Sequence, residues 1–151
     1  MELIGILDAA QEDVLQEASE ALRRAHLTHY EALGSEESRQ RLGDLFALVL
    51  ECLTQRNLVP ISQYAQHVAE ERFSAGFDIA EVLTAFNVLE EALWRQITKL
   101  VPPQEYPDAF GLVSTILGAG KQALALQYVA LARQSGTPAL DVDALFAGSG
   151  V

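Results

Sequence analysis

The sequence predicts an all-α domain of about five helices, and three observations carry that prediction. Apolar residues recur at steps of three and four along most of the chain, the strict alternation of a half-buried strand is nearly absent, and a capping box stands at Asp78 and Glu81. The first expected helix starts at Leu3. Its apolar row runs through Leu7, Ala10, Val14, Ala18, Ala21, Ala25, Thr28 and Ala32, and Gly34 ends it. Small alanines let a neighbouring helix come close while burying little area each, which suits a tight seam, including one between subunits. Alanine is equally the best helix former on a weakly buried face.

The second helix begins after Ser35, with Glu36 and Glu37 in the first turn where the helix dipole favours acids. Leu42, Leu45, Phe46, Val49, Leu50 and Leu53 form its stripe, and Asn57 is its stop. The third opens at Pro60, tolerated where backbone N–H groups lack helical partners, and continues through Ile61, Tyr64, Ala65, Val68 and Ala69 to a break at Gly76. Phe77-Asp78-Ile79-Ala80-Glu81-Val82 then reads as a complete helix start. Asp78 and Glu81 cap each other's backbone, and Phe77 and Val82 stand in the positions of a hydrophobic staple.

The fourth helix carries Val82, Phe86, Leu89, Leu93, Ile97 and Leu100, with a second apolar row at Leu83 and Trp94, an arc wide enough for more than one neighbour. Pro102-Pro103 stops it. Pro107 and Asp108 introduce the fifth, with Phe110, Val113, Leu117, Gly120, Leu124, Tyr128 and Leu131 on one side. Gly118 and Gly120 inside it each cost about 1 kcal/mol relative to alanine, so something is expected to pack against the backbone there. Ser135-Gly136-Thr137-Pro138 breaks the pattern. The organisation is one helical domain over 1–134 and a linker or C-terminal tail over 135–151.

The length of 151 residues suits a single core, and a chain that is 50% hydrophobic and 21% charged is not disordered. Ten Lys and Arg against 21 Asp and Glu leave a net charge of −11, which argues against nucleic acid and against anionic membrane surfaces. The single cysteine, Cys52, falls in an apolar run and reads as an inert core thiol. Glu2 and Asp8 exclude the basic start of a signal peptide, and no stretch is read as approaching the roughly 18 apolar residues of a membrane span. The expectation is a cytoplasmic chain.

No catalytic, cofactor-binding or metal-ligating set emerges. The residues three before His26, His29 and His67 are Arg23, His26 and Tyr64, so the Glu-x-x-His pairs of di-iron bundles are absent, as are Walker, nucleophile-elbow and dinucleotide motifs. His67, followed by Glu70, invites comparison with a phospho-accepting histidine or a proximal haem ligand, but its place at the edge of an apolar stripe reads as a half-exposed structural histidine. His26 and His29 flank the alanine row and read as surface packing. Arg72 falls within the third helix's apolar stripe and Glu90 within the fourth's. A charge in such a place needs a partner, and Glu90 or Glu71 is the expected carboxylate for Arg72; snorkelling into water is the alternative. Glu70-Glu71 and Glu90-Glu91 are adjacent pairs that diverge on a helix, so neither is an acid–base dyad.

The run from His67 through Glu71-Arg72, Gly76-Phe77, Asp78, Glu81 and Phe86 to Leu93-Trp94 resembles the N-terminal domain of RsbR-type proteins, the RsbT co-antagonists of the bacterial stressosome. Similar segments precede sensor histidine kinases and PucR-like regulators. The likeness extends over about 42–131, with its specific part at 70–94. It implies a globin-like fold without haem, a homodimer, and a non-enzymatic sensory role passed to an output domain or regulatory partner. Glu71, Arg72, Gly76 and Trp94 match the motif as residues shaping the turn and core. No antagonist-type domain or phosphorylatable linker follows, and the abrupt end at Leu145–Val151 reads as a segment of a longer sensor or a stand-alone version. A haem or small-ligand sensor with a pocket between the third, fourth and fifth helices, and the N-terminal part of a two-component histidine kinase, are the alternatives. The surfaces expected to meet in a dimer are the alanine-rich first helix and the glycine-containing fifth.

Overall fold

A computed structural model of the protein describes residues 2–136, so all but the first two positions of the expected tail lie outside the described residues. The chain is all-α. Its elements are α1 (Leu3–Ala9), α2 (Gln11–Arg24), α3 (Thr28–Leu33), α4 (Ser35–Gln55), α5 (Val59–Ser74), α6 (Ile79–Leu100), a 3₁₀ turn at Pro103–Glu105, and α7 (Tyr106–Gln134). Seven helices among the described residues replace the expected five or so, and the difference lies wholly in the first one.

The expected long first helix is three. At Ala10 the backbone N–H is shared between the carbonyls of Ile6 and Leu7, and the chain bends between α1 and α2 without glycine or proline. At His26 the backbone turns left-handed, with φ of 51°, a region that histidine enters more readily than branched residues do. The apolar row therefore holds from Leu3 to Ala18 and then fails: Ala25, Thr28 and Ala32 are exposed, and Leu22 and Tyr30 are buried in their stead. The buried alanines Ala10 and Ala18 serve the protein's own interior, with α2 lying along α6. Those two alanines are therefore not free for a second subunit, whereas Ala25 and Ala32 face outward.

From Gly34 onward the sequence reading and the structure agree closely. Gly34 adopts φ of 88°, and α4 buries Leu42, Leu45, Phe46, Val49 and Leu53. α4 ends one residue before the expected stop at Asn57, with Arg56 left-handed at φ of 53°, and Asn57 accepts the Val59 N–H on its side chain at 2.9 Å at the start of α5. Gly76, with φ of 85°, turns the chain into α6. The capping box is present: Asp78 accepts the Ala80 N–H at 2.7 Å, and Glu81 accepts the Asp78 N–H at 3.1 Å. Phe77 and Val82 on either side of it are both buried.

α7 closes the bundle by lying along α5 and α6, and α4 runs through the middle, touching α1, α2, α3, α5, α6 and α7. Gly120 marks the closest approach. A Cβ there would stand 2.9 Å from Phe86 Cε1 and 3.2 Å from Ile61 Cγ1. Gly118, expected to be covered as well, faces open space. Trp94 and Leu100, placed by periodicity in the apolar arc of α6, are exposed. Trp94 nevertheless keeps its ring 4.9 Å from that of Phe110. One further reading is corrected: by length and composition Pro103–Gln134 is apolar enough to cross a membrane, although a third of its most apolar window is buried inside the protein.

Candidate functional site

The polar residues singled out by sequence separate into three places. Glu90 does not meet Arg72. It accepts from Lys121 at 2.6 Å and Ser114 at 3.1 Å, tying α6 to α7, because the α6 face that carries it turns toward α7. Trp94 lies further along the same helix, on the surface.

The second place is the start of α6. Beyond the Asp78 N–H, Glu81 accepts the backbone N–H of His29 at 3.1 Å and lies 2.7 Å from His29 Nδ1. The His29 ring is tilted 4.7 Å from the Phe77 ring, whose other side meets Tyr30 edge-on at 5.2 Å. Partial burial pushes the Glu81 carboxyl up, but the hydrogen bonds from Asp78 and His29 outweigh it and hold the group below its ordinary value. His29 is thus a docking residue for α3, a role the surface-packing expectation missed. Tyr128 of α7 reaches the same turn, its hydroxyl donating to the Phe77 carbonyl at 3.3 Å. Burial pushes that phenol up to about 12.

The third place is Arg72, only 4% exposed and surrounded by groups from α3, α4, α5 and α6. Its Nη1 donates to Glu71 Oε1 at 2.6 Å, the pairing expected between these neighbours. Burial of the guanidinium rules out snorkelling. The cation stands 5.6 Å from the Phe77 ring centre, within cation–π range. Tyr30 lies beside it; burial raises that phenol's pKa, and the Arg72 charge partly opposes the rise. Burial, with Asp44 and Glu71 nearby, pushes Tyr64 up to about 12.

Arg41 on α4, which the sequence reading passed over, completes this centre. It donates to Glu37 at 3.1 Å and lies 3.8 Å from Glu71. The signal available for it was weak: a cation next to Leu42, one turn beyond an acid. Two guanidinium atoms, Arg72 Nε and Arg41 Nη1, are buried without a hydrogen-bond partner. A cavity of about 20 Å³ lies between Tyr30, Arg41, Tyr64 and Arg72, and an open groove of about 730 Å³ runs beside it between α4 and α5.

His67 stands on the rim of that groove, its side chain 75% exposed and Nε2 3.8 Å from Glu71 Oε2. It is more open than the half-exposed position expected. The α5–α6–α7 junction, where the alternative haem or small-ligand reading places a pocket, is filled around Gly120 by Phe86 and Ile61. The small cavity lies further along α5, beside Tyr64, Val68 and Arg72, with Phe86 also on its wall. Cys52 is buried, and desolvation raises its thiol pKa, as suits a packing residue. Among the described residues no three His, Cys, Asp or Glu side chains converge as metal ligands would. No family model matches the chain, and neither a curated protein nor a solved structure does.

Proposed function

We propose that this chain is a non-enzymatic sensory or regulatory domain of the RsbR N-terminal type, acting as a homodimer that relays a signal through helix packing to an output domain or partner. One observation carries the reading: α7, 29 residues long, is seated on α5 and α6 along one side and bares an apolar row along the other. Leu126 is 64% exposed, and Leu112 and Gly118 lie open on the same helix. Large apolar side chains left in water on a helix otherwise built for burial suit a partner surface. Small residues beside them allow close approach. The twofold partner is a second α7, the glycine-containing helix and one of the two surfaces expected to meet in a dimer.

The polar contacts fit a relay. Glu81, Glu90 and Glu71 each end on a cation or imidazole of another helix, holding α3 to α6, α6 to α7, and α5 to α4. The globin-like character, the stressosome association and the two-component alternative belong to this proposal, resting on the resemblance at Glu71-Arg72, Gly76-Phe77 and Trp94. So does a cytoplasmic location.

Light scattering tests the proposal. The expected mass at roughly tens of micromolar is that of a dimer, and Leu126→Lys returns it to a monomer with unchanged helicity. A monomeric parent protein, or one that floats with liposomes, overturns it.

A further inference from the structure

We propose that the groove over Arg72 binds a small zwitterion, an α-amino acid or a short ω-amino acid, whose carboxylate replaces that of Glu71 on Arg41 and Arg72. The proposal gives the regulatory reading its stimulus and rests on it for that consequence alone.

Arg72 Nε and Arg41 Nη1 are buried donors with no acceptor, and leaving such groups of a charged side chain unpaired is costly. The adjacent cavity of about 20 Å³ has room for one water-sized atom. A carboxylate oxygen is of that size. Glu71 occupies the mouth. Its side chain is 51% exposed, and it touches Arg72 at 2.6 Å and both Arg41 and His67 at 3.8 Å. A half-solvated glutamate can swing into the open groove and leave both cations to an incoming carboxylate.

The rim selects against a simple anion. Glu36, Glu37, Asp44 and Glu71 line the groove against Arg41 and Arg72, so its balance is acidic. Glu37 is held by Arg41, whereas Glu36 and Asp44 make no ion pair with a described cation. Phosphate or acetate would meet this rim unfavourably. A molecule with an ammonium a few ångströms from its carboxylate satisfies base and rim together. Arg41 and Asp44 are three residues apart on α4, a rise of roughly 4.5 Å, comparable to the charge separation of such a molecule.

Isothermal titration calorimetry with glycine, γ-aminobutyrate, acetate and methylammonium tests this. Glycine or γ-aminobutyrate is expected to bind saturably at one site, at least about tenfold more tightly than acetate or methylammonium. Glu71→Gln removes the internal competitor and is expected to tighten amino-acid binding about tenfold, and Asp44→Asn to weaken it to the level of acetate. Asp44 is exposed, and Glu71→Gln keeps a side-chain oxygen that can accept from Arg72; circular dichroism of both variants checks that they are folded. The proposal is overturned by no saturable heat from either amino acid with the parent protein and Glu71→Gln, by acetate binding equally well, or by an unchanged affinity in Asp44→Asn. Light scattering on the same samples keeps the two questions apart. Binding by a monomer defeats the regulatory reading alone, and a dimer that binds nothing defeats this proposal alone.

Discussion

Glu81 accepts two backbone N–H groups and sits against an imidazole, so its charged form is favoured in the folded protein over the unfolded chain. A carboxyl whose folded pKa is depressed contributes stability that is present above its unfolded value and lost as pH falls through the folded one. The urea midpoint is therefore expected to fall with acidification below the ordinary carboxylate range, and Glu81→Gln to flatten that part of the profile. Equal slopes in parent and variant would contradict the assignment. Asp78→Ala, which removes the other half of the box, is expected to cost about 1 kcal/mol in denaturant unfolding. Arg72→Ala strips the cation from Glu71, Tyr30 and Phe77 at once, and a loss of about 3 kcal/mol is expected. The box was legible because it is written within four residues. Arg72 was legible as a charge on an apolar stripe, and Glu71 as its carboxylate. Arg41 and His29 were not: the only local sign of Arg41 is Glu37 one turn before it, while Glu71 lies 30 residues from Arg41 and Glu81 lies 52 from His29.

Among the elements, α7 offers a matched pair of tests. At Gly120 an added methyl runs into Phe86 and Ile61, so Gly120→Ala is expected to destabilise by about 1–3 kcal/mol in spite of its better helix propensity. At Gly118 nothing stands within 4 Å, and Gly118→Ala is expected to stabilise by up to about 1 kcal/mol. Thermal unfolding of the two variants separates them by sign. Periodicity flagged both glycines and could not tell them apart, because the distinction depends on which side of α7 meets its neighbours. The same limit split the first helix. Its bends at Ala10 and His26 contain no proline or glycine, and a row of alanines stays in step whether the rod is straight or broken. Only the burial of Tyr30 in place of Ala25, Thr28 and Ala32 reveals the break.

For the molecule as a whole, a net charge of −11 on each copy opposes pairing. Screening relieves that repulsion, with a Debye length near 10 Å at about 0.1 M salt and about 30 Å at 0.01 M. Dimer affinity measured by sedimentation is therefore expected to rise with ionic strength; a fall would mean that attractive charge pairs, and not the apolar row of α7, hold the copies together. All-α class, most helix boundaries and the central row of α4 could be read directly from the chain. The fit of α3 against α6 could not. That fit has one more consequence. Because a single carboxylate serves both the first turn of α6 and the backbone of α3, neither can loosen alone, and their amide protons should exchange with deuterated solvent at a common pace although Glu81 stands 52 residues beyond His29.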